Sequence, residues 1–239
     1  MPHATLPLFN DATPAQQIDK LREMIDDLYR YQIGASVAKI IALLDQHPCA
    51  DEKEQADVQR IIRLAQRHPN ITSPLCEVGH ITGSAMIVHT PSRRVLLNHH
   101  RKFDRWMQFG GHMDNDLEPH ITALREAREE TGLMDLRFVS LHLEDVTLSP
   151  PPQTLPFGEG SEAARPFDVD VHVVPARNDR PEHLHLDLRY LLATNQPEAA
   201  QATDESNDIH WFTLDELAAL DLEPGVWRMI RKAQAGSAL

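Results

Sequence analysis

Apolar positions recur at helical spacing through roughly the first 70 residues and change to alternation after about residue 78. Ile18, Leu21, Ile25, Leu28 and Tyr29 form the first helical set. Thr13-Pro14-Ala15-Gln16 opens it with an N-cap threonine, a proline at the first helical position and a capping-box glutamine. A second set, Val37, Ile40, Ile41 and Leu44, ends near His47-Pro48, and a third, Val58, Ile61, Ile62 and Ala65, ends near His68-Pro69. Three short amphipathic helices carry too little apolar surface for a core of their own. Residues 1–75 are therefore expected to be a helical extension of a main domain over 76–239. Its apolar faces would pack on that domain or on a second subunit, which makes a homodimer one expectation.

From there the spacing predicts strands at Thr82 to His89 and Val95 to His100, with Pro91-Ser92 turning between them. Trp106-Met107-Gln108-Phe109 leads into Gly110-Gly111, and a helix is predicted from Pro119 to a stop at Gly132. Leu136 to Leu148 reads as extended, and Ser149 to Arg165, with four prolines, as a loop. Val169 to Val174 and Leu184 to Ala193 alternate as two further strands. Ile209 to Phe212 leads into the capping box Thr213-Leu214-Asp215-Glu216, and a last helix covers about Val226 to Ala233. Strands interrupted and closed by helices predict a mixed α/β layer arrangement.

Composition narrows the partners. A formal net charge of −13 excludes a nucleic-acid backbone as the expected partner, since that needs a basic footprint. It permits a small nucleotide if metal ions neutralise the phosphates locally. Cys49 and Cys76 have no metal-type spacing and read as reduced, cytoplasmic thiols. No apolar stretch approaches the roughly 20 residues that span a membrane, and the start does not read as a signal peptide.

The candidate chemistry centres on Gly110-Gly111-His112 and on Arg125-Glu126-Ala127-Arg128-Glu129-Glu130-Thr131-Gly132-Leu133. On a helix, Glu126, Glu129 and Glu130 fall within an arc of roughly 100°. Like charges at these spacings each cost about 0.2–0.5 kcal/mol on an exposed helix. A hard divalent cation reverses that sign. A glycine turn beside it lets phosphates approach the backbone closely.

These residues resemble the Nudix box, G-x5-E-x7-R-E-U-x-E-E-x-G-U, with Gly111, Arg125, Glu126, Ala127, Glu129, Glu130, Gly132 and Leu133 in register. The motif's first glutamate falls on Leu117, flanked by Asp116 and Glu118. In the family that glutamate braces the loop, so the departure touches the bracing more than the metal site, and Asp116 or Glu118 can substitute. The resemblance implies a Nudix-like α/β/α sandwich with a mixed sheet and a pyrophosphohydrolase dependent on Mg²⁺ or Mn²⁺. It implies Glu126, Glu129 and Glu130 as metal ligands, Glu126 or Glu129 as base, the Gly110 carbonyl as a further ligand and Arg125 as the group orienting the glutamates. Glu205, just before Trp211, is the candidate for an extra acidic ligand from a later loop.

His183, His185, Asp187 and Arg189 alternate on one strand face, and Asp168, Asp170 and His172 do so on the preceding strand. They read as a polar sheet face covered by loops, as contacts to a base, ribose or phosphate, or as a site for a transition metal such as Zn²⁺. His112, His99, His100, Arg101 and Lys102 are candidate phosphate contacts, and Trp106 or Phe157 a stacking surface. The leading expectation is cleavage of the pyrophosphate of a nucleoside diphosphate linked to another moiety, such as ADP-ribose or a sugar. Hydrolysis of oxidised nucleoside triphosphates and a non-catalytic nucleotide-binding module are the alternatives.

Overall fold

The computed structural model describes residues 13–142, 145–148, 165–177 and 180–239. Most of the proline-rich segment, with Phe157, lies outside them.

Helix α1 runs Pro14–Asp45 and carries the expected capping box: the Thr13 N–H donates to Gln16 Oε1 at 2.9 Å, and the Gln16 N–H to Thr13 Oγ1 at 3.4 Å. The first two predicted helices are thus one helix of 32 residues. No proline lies between Tyr29 and Val37, and a lone Gly34 costs only about 1 kcal/mol in a helix interior. Its first half, with Ile18, Leu21, Ile25, Leu28 and Tyr29, stays exposed among the described residues. Packing begins at Ile33 and continues through Val37, Ile40 and Leu44. Helix α2 covers Glu52–Arg67, capped by the Asp51 side chain.

Strands β1 (Gly79–His89), β2 (Arg94–His100), β3 (Arg105–Met107) and β4 (Phe109–His112) precede helix α3 (Pro119–Thr131). After it come β5 (Arg137–His142), β6 (Asp145–Leu148), β7 (Asp168–Val174), β8 (His183–Ala193) and β9 (Ser206–Phe212). Helices α4 (Leu214–Leu217) and α5 (Pro224–Ala235) close the described chain. The predicted strand over Leu136 to Leu148 is instead an antiparallel pair, β5 against β6. The sheet is mixed, with β1 and β8 parallel at its centre and the other pairings antiparallel. Strands β2 and β4 share the other edge of β1, β7 and β5 share that of β8, and β9 flanks β2.

Alternation sends β1 side chains to two faces. Ile81, Ala85 and Ile87 join Leu186, Leu188, Tyr190 and the apolar positions of α1, α2 and α3 in one buried cluster. Met86 and Val88 join Val95, Leu97 and Leu191 beneath Leu217, Val226, Met229 and Ile230 of α4 and α5. The result is the expected α/β/α arrangement, with the second half of α1 and all of α2 built into its core.

Among the described residues, strand β7 has a strand neighbour on one side only, and α2 lies along its other side. The unpaired Val169 N–H donates to Glu54 Oε1 at 3.1 Å and the Val171 N–H to Asp57 Oδ2 at 3.0 Å. The Val169 carbonyl accepts from Arg228 at 2.7 Å and the Val171 carbonyl from Lys53 at 3.3 Å. Side chains thus complete the edge ladder that another strand would otherwise supply.

Candidate active site

Helix α3 begins at Pro119 and ends in a left-handed Gly132 cap at φ 71°, as its sequence predicts. It lies across β1 and β4, so its glutamates stand over the glycine turn. Gly110 has φ 154°, and a Cβ there would lie 2.3 Å from the Ser84 Cβ. A Cβ on Gly111 would lie 2.5 Å from Glu126 Oε1. Both glycines are demanded by the backbone of β4, the second because the carboxylate rests against it.

Arg125 holds this arrangement together. Its Nε donates to Asp116 Oδ2 at 3.0 Å, and its Nη1 to Glu126 Oε1 at 2.7 Å and Glu129 Oε2 at 3.2 Å. Its Nη2 donates to the His112 carbonyl at 2.9 Å. Burial opposes the charge on Arg125, but Asp116 and Glu126 outweigh it and raise its pKa. Asp116 also accepts from the Thr122 hydroxyl at 3.0 Å, so a carboxylate one position before Leu117 ties the loop to the helix. The Leu117 carbonyl accepts from Ser36, and Glu118 pairs with Lys39 at 2.8 Å, fastening the same loop to α1.

Glu130 is 4% exposed and its Oε2 has no hydrogen-bond partner among the described residues. Burial, then the charges of Glu126 and Glu205, push its carboxyl up to about 8, against the opposing pull of Asn98 and the Gly110 backbone. Burial raises Glu126 too, and Glu129 and Glu205 add to this while Arg125 opposes. The loop before β9 therefore brings Glu205 within electrostatic reach of Glu126 and Glu130. Arg101 lies beside it, its N–H donating to the Glu205 carbonyl at 3.0 Å and its Nη2 to the Ser206 carbonyl at 3.1 Å. Lys102 is exposed in the following turn, its Nζ 5.3 Å from the Phe103 ring centre. A mutually repelling carboxylate set around the buried Glu130, whose Oε2 is unpartnered among the described residues, fits a hard divalent cation.

The strand constellation lies elsewhere. Register places Asp168 opposite Arg189, Asp170 opposite Asp187 and His172 opposite His185, so these side chains do share one face. That face is the one away from α3, because Gly83, Gly111, Leu186 and Leu188 point towards it. Asp187 and Arg189, expected as substrate contacts, are buried beneath neighbouring side chains. Arg189 donates to Asp187 at 2.9 Å and Asp170 at 3.0 Å, while Asp187 also accepts from Thr82 at 3.0 Å and Ser84 at 2.7 Å. Arg228 of α5 closes over them, with Nε 2.7 Å from Asp168. An internal charge needs counter-charges, and the three aspartates supply them. His112, His183 and His185 gather at the more open end of the same face and do not join the glutamates.

Asn98, Gln108, His80 and the α2 carboxylates escaped sequence reasoning. Asn98 gives a faint signal as a polar residue closing the apolar run Val95-Leu96-Leu97.

Residues 80–233 match the family description NUDIX domain. The fold is similar to an Ap4A hydrolase of C. elegans, at 15% identity and TM-score 0.42 over 65% of this chain and 95% of that one. It is also similar to the E. coli dihydroneopterin triphosphate pyrophosphohydrolase, at 14% identity and TM-score 0.43 over 64% and 92%. A third is the NUDIX domain of Shewanella oneidensis NrtR complexed with ADP ribose, at 15% identity and TM-score 0.38 over 64% and 85%. Curated proteins gave no match.

Proposed function

Because this chain belongs to the Nudix family of pyrophosphohydrolases, we propose that it hydrolyses the pyrophosphate bond of a nucleoside diphosphate linked to another moiety, with Mg²⁺ or Mn²⁺ bound by α3. The observation that carries the reading is the crowding of Glu126, Glu130 and Glu205, with Glu130 pushed up to about 8 by burial and its neighbours' charge. Without a cation the arrangement opposes itself.

Glu126, Glu129 and Glu130, with Glu205 and the Gly110 carbonyl, would hold the metal. When bound, it supplies charge neutralisation at the phosphate oxygens and a lowered pKa for a coordinated water. The chain's own part is positional. Arg125 fixes Glu126 and Glu129 through one guanidinium, and either carboxylate then accepts the proton of the attacking water. Gly111 lets the Glu126 carboxylate lie against the strand. Arg101 and Lys102 would serve as cations for the substrate phosphates.

The preference for a diphosphate-linked substrate rests on the long proline-containing segment and the helical extension. Nucleoside triphosphates are the second reading. A non-catalytic binding module loses its main support once Asp116 takes up the bracing expected at position 117.

Turnover against ADP-ribose, nucleoside diphosphate sugars, dinucleotides, CDP-alcohols and oxidised dNTPs tests the proposal, in Mg²⁺ and in Mn²⁺. The Glu129→Gln/Glu130→Gln variant is expected to lower kcat/KM by on the order of 100-fold or more and to bind the ion more weakly. No turnover by folded protein on any of these would favour the binding module.

A further inference from the structure

Five histidines gather on the sheet face opposite the glutamates, where the proposed hydrolysis has no use for them. His112 on β4, His80 on β1, His185 on β8 and His172 on β7 come from four neighbouring strands, and His183 lies two residues before His185. The ring centres of His80 and His112 are 4.8 Å apart, of His80 and His185 4.9 Å, and of His112 and His185 5.5 Å. One ring nitrogen from each of these three lies within 4.8 Å of the other two.

His80 is 0% exposed, and neither of its ring nitrogens has a hydrogen-bond partner among the described residues. A neutral imidazole carries one donor and one acceptor, and each buried orphan costs about 1–3 kcal/mol. An apolar residue would avoid that cost, so the imidazole needs a ligand. The surroundings say which kind. The nearest carboxylates are already engaged, Asp187 by Thr82, Ser84, Gln108 and Arg189, and Asp170 by Arg189, Lys53 and His172. What remains among the described residues is a set of imidazoles whose one further carboxylate neighbour, the exposed Asp114, acts on His112 through its charge and is shared with Arg125 at 4.0 Å. Hard ions such as Mg²⁺ require oxygen, whereas Zn²⁺ and its neighbours take imidazole nitrogen.

We propose that His80, His112 and His185 hold one transition-metal ion of the Zn²⁺ class, on the opposite face of the sheet from the carboxylate site. Tetrahedral Zn²⁺ with N at 2.0–2.1 Å sets its ligand nitrogens about 3.3 Å apart, so binding would draw these rings in from their present separations of up to 4.8 Å. Three imidazoles leave a fourth position for water. His183 stands beside it, stacked on His80 at 5.2 Å, with Nδ1 2.9 Å from the Pro181 carbonyl and Nε2 unpartnered among the described residues. That carbonyl bond fixes the tautomer with the Nε2 lone pair available. The His112 carbonyl accepts from Arg125, so the ion would also pin the end of β4 that anchors the guanidinium of the other site.

The full chain, purified without a histidine tag or chelator and dialysed in Zn²⁺, is assayed for bound metal by mass spectrometry. Zinc at one equivalent per chain is expected in the wild type and in Glu126→Gln/Glu129→Gln, and is expected to be lost in His112→Asn/His185→Asn. Co²⁺ in its place is expected to give the strong visible bands of a tetrahedral site in the first two proteins only. Zinc that washes off the folded wild type, or that the histidine variant retains, overturns the proposal. Should the histidine variant fail to fold, zinc X-ray absorption of the wild type decides. Imidazole scattering supports the site, and a shell of oxygen alone refutes it.

Discussion

Glu130 sits in an environment at odds with its own charge. Its carboxyl, near 4.5 when unperturbed, is pushed up to about 8 by burial and by Glu126 and Glu205. Between those values the folded chain binds a proton that the unfolded chain has released, so stability falls as pH rises across the window. Chelator-treated protein is therefore expected to melt at progressively lower temperature from about pH 4.5 to pH 8, and Glu130→Gln to flatten that slope. Divalent cations reverse the trend, because they bind the deprotonated carboxylate and bind it better as pH rises. Thermal melts across this range, with and without Mg²⁺, check both statements. Glu130 itself was legible, since eight fixed positions over 23 residues place it. The bracing was half legible. A glutamate expected at position 117 is replaced by Asp116, and only the path of the loop shows that this carboxylate, one residue earlier, reaches Arg125.

Helix α2 illustrates what periodicity conveys and what it omits. Val58, Ile61, Ile62 and Ala65 announced an amphipathic helix and its buried face. The polar face was unreadable because its partners lie far along the chain, as when Glu54 meets the Val169 N–H 115 residues away. Burial works to raise the Glu54 carboxyl, yet His47, the Ala50 N–H and Lys232 prevail and hold it at about 2. The stabilisation it gives is complete above its ordinary value of 4.5 and is lost as pH falls towards 2. Glu54→Ala would leave Lys232 without its 2.5 Å partner and the Val169 N–H unpaired. It is expected to cost about 3–5 kcal/mol, read from the shift of the urea midpoint at neutral pH and shrinking on acidification.

The change from helical to alternating pattern near residue 78 reads as a domain boundary, and for the pattern it is one. For the core it is not. Ile40, Leu44, Ile61 and Ile71 are packed in one cluster with Ala123, Leu124 and Tyr190, so the helices and the catalytic layer share their apolar interior. Removing residues 1–75 is expected to abolish soluble folded protein. Removing residues 1–30, where Ile18, Leu21, Met24, Ile25, Leu28 and Tyr29 are exposed, is expected to move the melting temperature by only a few degrees, about what fraying of an unpacked helical end contributes. Circular dichroism melts of the two truncations distinguish a shared interior from a detachable one. Sequence shows where periodicity changes, while the sharing of an interior depends on which faces meet across the sheet.

The rim of side chains along β7 carries one more implication. Carboxylates and cations from α2 and α5 answer Val169 and Val171 in alternation, donor to acceptor and acceptor to donor. They mimic an adjoining strand in everything except its ability to be extended. A genuine strand there would present a fresh row of amides to the next molecule, whereas this imitation presents none. Helix α2 thus ends the sheet as a full stop ends a sentence, protecting the molecule from polymerising through its own architecture.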